Sequence, residues 1–282
     1  MSRWLRNACL VGVGLREVVG IEPRHGGKPA DVLAVASLDP AISGGMPEVR
    51  NWGAPLATVM ADLARKVKTV DVSVADDWVR YWRVEAPDGL GSMGELRALA
   101  QSRFEELFGA TSADWVVEAD WQASGSMLAS AMPRELVEAL RSSAEACGLT
   151  LRTVAPAAVR WFNRHADGMV TDCWFCSFGE RSVCAVLFEG GHVVHVRQFR
   201  FDQKPDTTEM LARLESESLR VGLPQPRHAY FAGQTQMKGE GEVGSFKLKV
   251  LGRFDAMPEL RPRSGQGVTA EASLLAFSGW VK

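Results

Sequence analysis

The sequence predicts an α/β protein of two lobes, each built on an open mixed sheet with helices packed against it. Two observations predict this. Short strands and helices follow one order, a three-strand meander, then helix, strand, helix or loop, and strand, and that order occurs once in each half of the chain. In addition, the segments 172–178 and 182–188 are apolar at both odd and even positions, the pattern of strands buried on both faces of a sheet.

The elements follow in order. Residues 10–14 and 17–22 form a hairpin with Gly14 at its turn, 25–29 a loop and 31–38 a third strand. Three prolines and three glycines make 39–55 irregular. Leu56, Val59, Met60, Leu63 and Val67 mark one face of a helix. A strand pair, 70–74 and 78–84, flanks a tight turn at Asp76 and Asp77, where aspartate suits the backbone. Residues 87–91 read as a linker. Leu96, Leu99, Ala100, Phe104, Leu107 and Phe108 then mark a helix that Gly109 terminates. Strands at 115–121 and 126–131 precede a helix opened by Pro133 at its first position and closed by Gly148. A strand at 149–154 and a helix at 157–166 complete the first half. The second half has strands at 172–178, 182–188 and 192–201. A helix then runs from the capping pair Asp206 and Glu209 to Val221, where Gly222 and Pro224 end it. Strands at 228–232 and 246–251 flank a polar stretch, 234–245, and a helix is expected at 268–280.

Composition narrows function. The 282 residues are 46% hydrophobic and 23% charged, which excludes a largely disordered chain. Net charge is −2 with no basic stripe, so nucleic acid is not an expected partner. No run of 18 uncharged apolar residues occurs, so no membrane-inserted helix is expected. Arg3 and Arg6 precede the apolar run 8–15, which reads as a strand and not as a signal peptide. Five cysteines, an odd number, fit a reducing cytoplasm. Cys173 and Cys176 match C-x-x-C, but in a strand positions i and i+3 point to opposite faces, so core packing is the expectation. The competing reading is a metal or thiol site on that pair. Trp78, Tyr81, Trp82, Trp115 and Trp121 cluster around 87–131, as core or as the lining of a groove for a peptide.

Two ribonuclease-H-like halves in tandem make the actin-like ATPase architecture, with lobes at 1–155 and 156–282 and a subdomain inserted at about 87–131. Four places add a resemblance: 70–84 with 95–106, 127–140 with 148–151, 175–182 with 189–191, and 228–233. Together they resemble the PilM type of actin-like protein in type IV pilus assembly, and the related cytoplasmic part of type II secretion L proteins. That family implies a scaffold on the cytoplasmic face of the bacterial inner membrane, bound to the cytoplasmic tail of a bitopic membrane protein. It points the partner groove to the inserted subdomain, at Trp82, Leu96, Leu99 and Phe104. Nucleotide-hydrolysing members of the fold resemble one another in an acidic D-x-G at each phosphate hairpin, whose carboxylates anchor the metal. Here the hairpins read Gly12-Val-Gly14 and Ser177-Phe-Gly179, with Gly233 at the segment that would face adenosine. Both acids are missing. No catalytic residue, metal or hydrolysed cofactor is therefore expected, and ATP binding without hydrolysis is left open. The alternative is an active nucleotide-binding ATPase or kinase of the same fold.

Overall fold

We describe the computed structural model over residues 8–22, 30–41, 47–49, 51–87, 92–121, 125–233, 240–251 and 260–261. The expected loop at 25–29, Arg3 and Arg6, most of the 87–91 linker, and the helix at 268–280 lie outside them. The chain forms two compact units that do not follow chain order. One gathers 8–79, 132–164 and 260–261; the other gathers 80–131 and 165–251. The division suggested by sequence order, at 155, differs in three ways. The insert packs with the second unit, the helix after 156 stays with the first, and residues 260–261 return to the first.

In the first unit the sheet order is β10-β6-β1-β2-β3-β17. β1 (Ala8–Val13), β2 (Glu17–Glu22) and β3 (Ala30–Ser37) are the antiparallel meander. β6 (Thr69–Val74) joins β1 in parallel, and β10 (Thr150–Pro156) joins β6 in parallel. β17 (Leu260–Arg261) extends the β3 edge. Between meander and β6 lie a small ribbon, β4 (Pro40–Ala41) with β5 (Glu48–Val49), and the helix α1 (Gly53–Ala64). The apolar face read from the sequence is the buried face of α1: Leu56, Val59, Met60 and Leu63. It lies so close to the sheet that a Cβ on Gly20 would stand 2.8 Å from Leu63 Cδ2, so an alanine there would have to displace the Leu63 side chain. α3 (Arg134–Ala146) buries Leu136, Val137 and Leu140. Pro133, expected inside this helix, instead ends the preceding strand with ψ 127°, and the helix starts one residue later.

A buried carboxylate fixes the far edge of this sheet. An irregularity between Leu151 and Thr153 turns Arg152 onto Asp71 of β6, Nε to Oδ1 at 2.9 Å with a second bond to Oδ2. Thr153 Oγ1 donates to Asp71 Oδ1 at 2.8 Å. From α4 (Ala157–His165), Arg160 donates to Val72 O and to Thr153 Oγ1, both at 2.8 Å. A two-pronged guanidinium is the geometry that neutralises a buried aspartate, and the pair sets the register of β10 on β6.

The second unit repeats the meander. β11 (Cys173–Phe178), β12 (Ser182–Glu189) and β13 (His192–Arg200) are antiparallel neighbours. β14 (His228–Gly233) joins β11 in parallel, β16 (Phe246–Val250) joins β14, and β15 (Gly241–Val243) closes the order β13-β12-β11-β14-β16-β15. Every residue of β11 is buried, as double-sided apolarity requires. α5 (Thr207–Val221) begins at Asp206, which accepts from the Glu209 N–H at 2.8 Å, and ends at Gly222. The insert is a three-stranded sheet, ordered β7 (Arg80–Ala86), β9 (Gly125–Pro133), β8 (Trp115–Ala119), covered by α2 (Met93–Phe108). Ser92 and Glu95 form a reciprocal capping box at the start of α2, and Gly109 caps its end.

Candidate functional site

The two hairpins that would hold phosphate are built alike. In the first unit the Gly14 N–H donates to Glu17 O at 2.9 Å; in the second the Gly179 N–H donates to Ser182 O at 2.8 Å. These N–H groups close their own turns. Gly14 O is also taken, by the Trp78 indole N–H at 2.8 Å. Gly12 lies within β1, paired with Val19 and Ser73, and Ser177 is fully buried within β11, paired with Cys184 and Ala232. Neither position carries a carboxylate. Asp76 and Asp77, on the turn after β6, are both buried, and Asp76 Oδ1 accepts the Ala158 N–H of α4 at 3.0 Å. That aspartate therefore serves the N-terminus of a helix 82 residues away, a stronger structural role than a tight turn alone. Among the described residues no three His, Cys, Asp or Glu groups are placed to hold a metal ion. This donor set does not fit a magnesium nucleotide held in the manner of the hydrolysing members of the fold.

Gly233 ends β14 with φ +85°, and a Cβ there would stand 2.5 Å from Phe178 O. The glycine is demanded by the adjoining strand end itself. Cys173 and Cys176 lie on opposite faces of β11, and burial pushes the Cys173 thiol up to about 12 and the Cys176 thiol well above its ordinary value. Such thiols are poor nucleophiles and poor metal ligands. Glu118 accepts from the Trp121 indole at 2.9 Å and is exposed, in keeping with a solvated edge.

The four groove candidates separate into two groups. Leu96 and Phe104 face the insert's sheet and are 3% and 0% exposed, with Ala100 between them. They belong to the insert's core. Leu99, which also packs against that core, lines a cleft of about 600 Å³ together with Arg103 and Leu107, the neighbouring stripe of α2. Trp82 belongs to both settings: its ring packs on Phe104 and Phe108 while it also borders the cleft, and its indole N–H has no acceptor among the described residues. The opposite wall of the cleft is β13.

How the insert reaches β13 is specific. β13 carries a bulge at Val194. Ser126 Oγ donates to Val193 O, and Arg83 donates to Val194 O at 3.2 Å and to Ser126 Oγ at 2.6 Å. Beyond this anchor, β7 and β13 are edges of their own sheets with the cleft along them. Five arginines line it (Arg80, Arg83, Arg103, Arg197, Arg200) against one carboxylate, Glu85. Arg80 stacks its guanidinium 5.5 Å from the Phe108 ring centre, and among the described residues no carboxylate pairs with it. Burial, helped by the Arg200 charge, lowers Arg80 to about 10. Sequence reasoning reached α2 but missed these cations, because they come from three separated segments.

Behind β13, His195 Nε2 donates to Glu217 Oε1 at 2.8 Å, Arg220 Nε donates to Oε2 at 3.0 Å, and Arg197 lies 3.8 Å away. The Arg220 hydrogen bonds outweigh burial and hold the Glu217 carboxyl near 2, with His195 adding to the effect. A folded-state value below the ordinary 4.5 stabilises the fold above 4.5, and that contribution is lost as pH falls toward 2. Arg220 is half exposed, so solvent screens part of the gain, leaving about 2 kcal/mol. Urea unfolding at pH 7 and pH 3 should show this loss in the parent protein and a smaller one in Glu217→Gln.

Each unit thus holds the ribonuclease-H strand order, β10-β6-β1-β2-β3 in one and β13-β12-β11-β14-β16 in the other, and the chain has the actin-like ATPase fold. Among solved structures it is similar to the PilM-PilN type IV pilus biogenesis complex, at TM-score 0.58 and 14% identity over 97% of this chain and 96% of that one. It is also similar to the cytoplasmic domain of EpsL, an inner-membrane component of the type II secretion system of Vibrio cholerae, at TM-score 0.53 and 10% identity over 97% and 94%. A Bacteroides thetaiotaomicron protein with an actin-like ATPase fold and unknown function matches at TM-score 0.55 and 11% identity over 82% and 83%. No family model and no curated protein sequence matches the chain. Among the described residues no helix is long and apolar enough to cross a membrane.

Proposed function

We propose that this protein is a non-catalytic actin-like scaffold of a type IV pilus or type II secretion-like assembly platform, held at the cytoplasmic face of the inner membrane by the tail of a membrane partner. The observation that carries the proposal is the likeness to the PilM of a PilM-PilN complex over nearly the whole of both chains. The hairpins support the non-catalytic part. Phosphoryl transfer needs a metal-neutralised charge and free backbone donors. Gly12 and Ser177 supply no carboxylate, and the Gly14 and Gly179 N–H groups are spent on their own turns.

Two measurements test this. The purified protein should bind the cytoplasmic tail of a single-span inner-membrane protein encoded beside it, and absence of binding would overturn the scaffold reading. Separately, ATP with magnesium should leave the thermal midpoint unchanged. A true nucleotide site at 100 times its Kd would add about 2.7 kcal/mol, and such a shift accompanied by phosphate release would favour an active ATPase or kinase.

A further inference from the structure

We infer that the cleft between the insert and β13 is the docking site for an extended, acidic peptide segment. The inference deepens the scaffold reading and rests on it for the identity of the partner, but the chemistry comes from the cleft itself. Three features define the occupant. The first is charge: five arginines line the walls, and although Arg83 pairs with Glu85, Arg103 with Glu106 and Arg197 lies 3.8 Å from Glu217, Arg80 is a partly buried cation beside Arg200 with no carboxylate partner among the described residues. A buried charge without a counter-ion is costly, and an incoming carboxylate would remove that cost on the Arg80 guanidinium.

The second feature is shape. Two sheet edges, β7 and β13, border the space, and an edge strand offers its backbone N–H and C=O groups to another extended chain. The Ser126 and Arg83 bonds to Val193 O and Val194 O close one end and leave the run toward Arg200 as the open edge. The third is the apolar lining. Leu99, Leu107, Phe108 and Val196 share the cleft with the arginines, and Leu107 is 47% exposed. Alternate side chains of a strand point opposite ways, so a peptide alternating acidic and apolar residues presents carboxylates and hydrocarbon to the two kinds of wall at once. A free phosphate or a lipid headgroup would use the charge and leave the hydrocarbon and the edges unengaged. The volume, about 600 Å³, lies in the range of ligand sites.

Fluorescence anisotropy with a labelled octapeptide alternating glutamate with leucine or valine tests this on the full chain. Binding should be micromolar and weaken with salt, and the same peptide with lysine for glutamate should bind at least tenfold more weakly. Arg80→Glu and Arg200→Glu should each lower affinity at least tenfold, with Arg80→Gln intermediate and circular dichroism melts confirming that each variant folds. Equal affinity for both peptides, or unchanged affinity in Arg80→Glu, would overturn the inference. So would full competition by millimolar phosphate, or preferential binding to phosphatidylglycerol vesicles. A partner tail that binds the Arg80→Glu protein normally would leave the scaffold reading standing and remove this site; acidic-peptide binding without any partner tail would do the reverse.

Discussion

Gly233→Ala should lower the midpoint of thermal unfolding by on the order of 10 °C, the largest drop expected of any glycine-to-alanine change in the second unit. Two costs combine. At φ +85° an alanine is strained, and its Cβ would sit 2.5 Å from Phe178 O and 3.2 Å from Phe178 N. Those atoms are backbone at the end of a central strand paired to β12 and β14, so they cannot swing away as a side chain could. Together the terms amount to about 3–4 kcal/mol. Gly190→Ala and Gly244→Ala separate them, since both positions have positive φ but open space around the new methyl. Each should cost only about 1 kcal/mol. Differential scanning calorimetry of the three variants makes the comparison, and equal losses would mean that the strand ends are not in contact at Phe178. The glycine facing the expected adenosine segment would then be free to serve a ligand.

The same residue shows where sequence reasoning stops. That position 233 ends a strand in glycine is legible locally, as are the caps at Gly109 and Gly222 and the buried face of α1, because each depends on neighbours within one turn. What demands the glycine is Phe178, which reaches it only through a parallel pairing across the intervening meander and helix. The Asp71 and Arg152 pair is hidden for the same reason. It spans 81 residues and depends on an irregularity in β10 that no local pattern announces. Asp76 looked like a turn residue because its acceptor role toward Ala158 is equally distant. The chain order of the main strands in both units is legible in periodicity, but the short strands β4, β5, β15 and β17 are not, and neither is the division into units, which depends on which surface the insert packs against. The cleft was half legible. Periodicity marks α2 as amphipathic but cannot say which of two adjacent stripes faces a sheet and which a neighbouring strand.

That ambiguity yields the second large effect, from paired changes on α2. Phe104→Ala removes a fully buried ring that touches Trp82, Phe108 and Trp115, at a cost of about 3–5 kcal/mol. The insert's core is small, so the loss should appear as local opening of residues 80–131 ahead of the rest. Hydrogen exchange on α2 and limited proteolysis within residues 80–131 would detect it. Acidic-peptide binding should disappear in Phe104→Ala because one wall of the cleft is gone. Leu99→Ala, one stripe away and half-buried, should cost no more than about 1–2 kcal/mol, leave exchange on α2 near normal, and still weaken the peptide several-fold. The two variants thus separate holding the wall in place from touching the occupant. If Leu99→Ala instead opened the insert while Phe104→Ala left it closed, α2 would be rotated about its axis from the orientation seen here, and the arginine-lined cleft would not exist in this form.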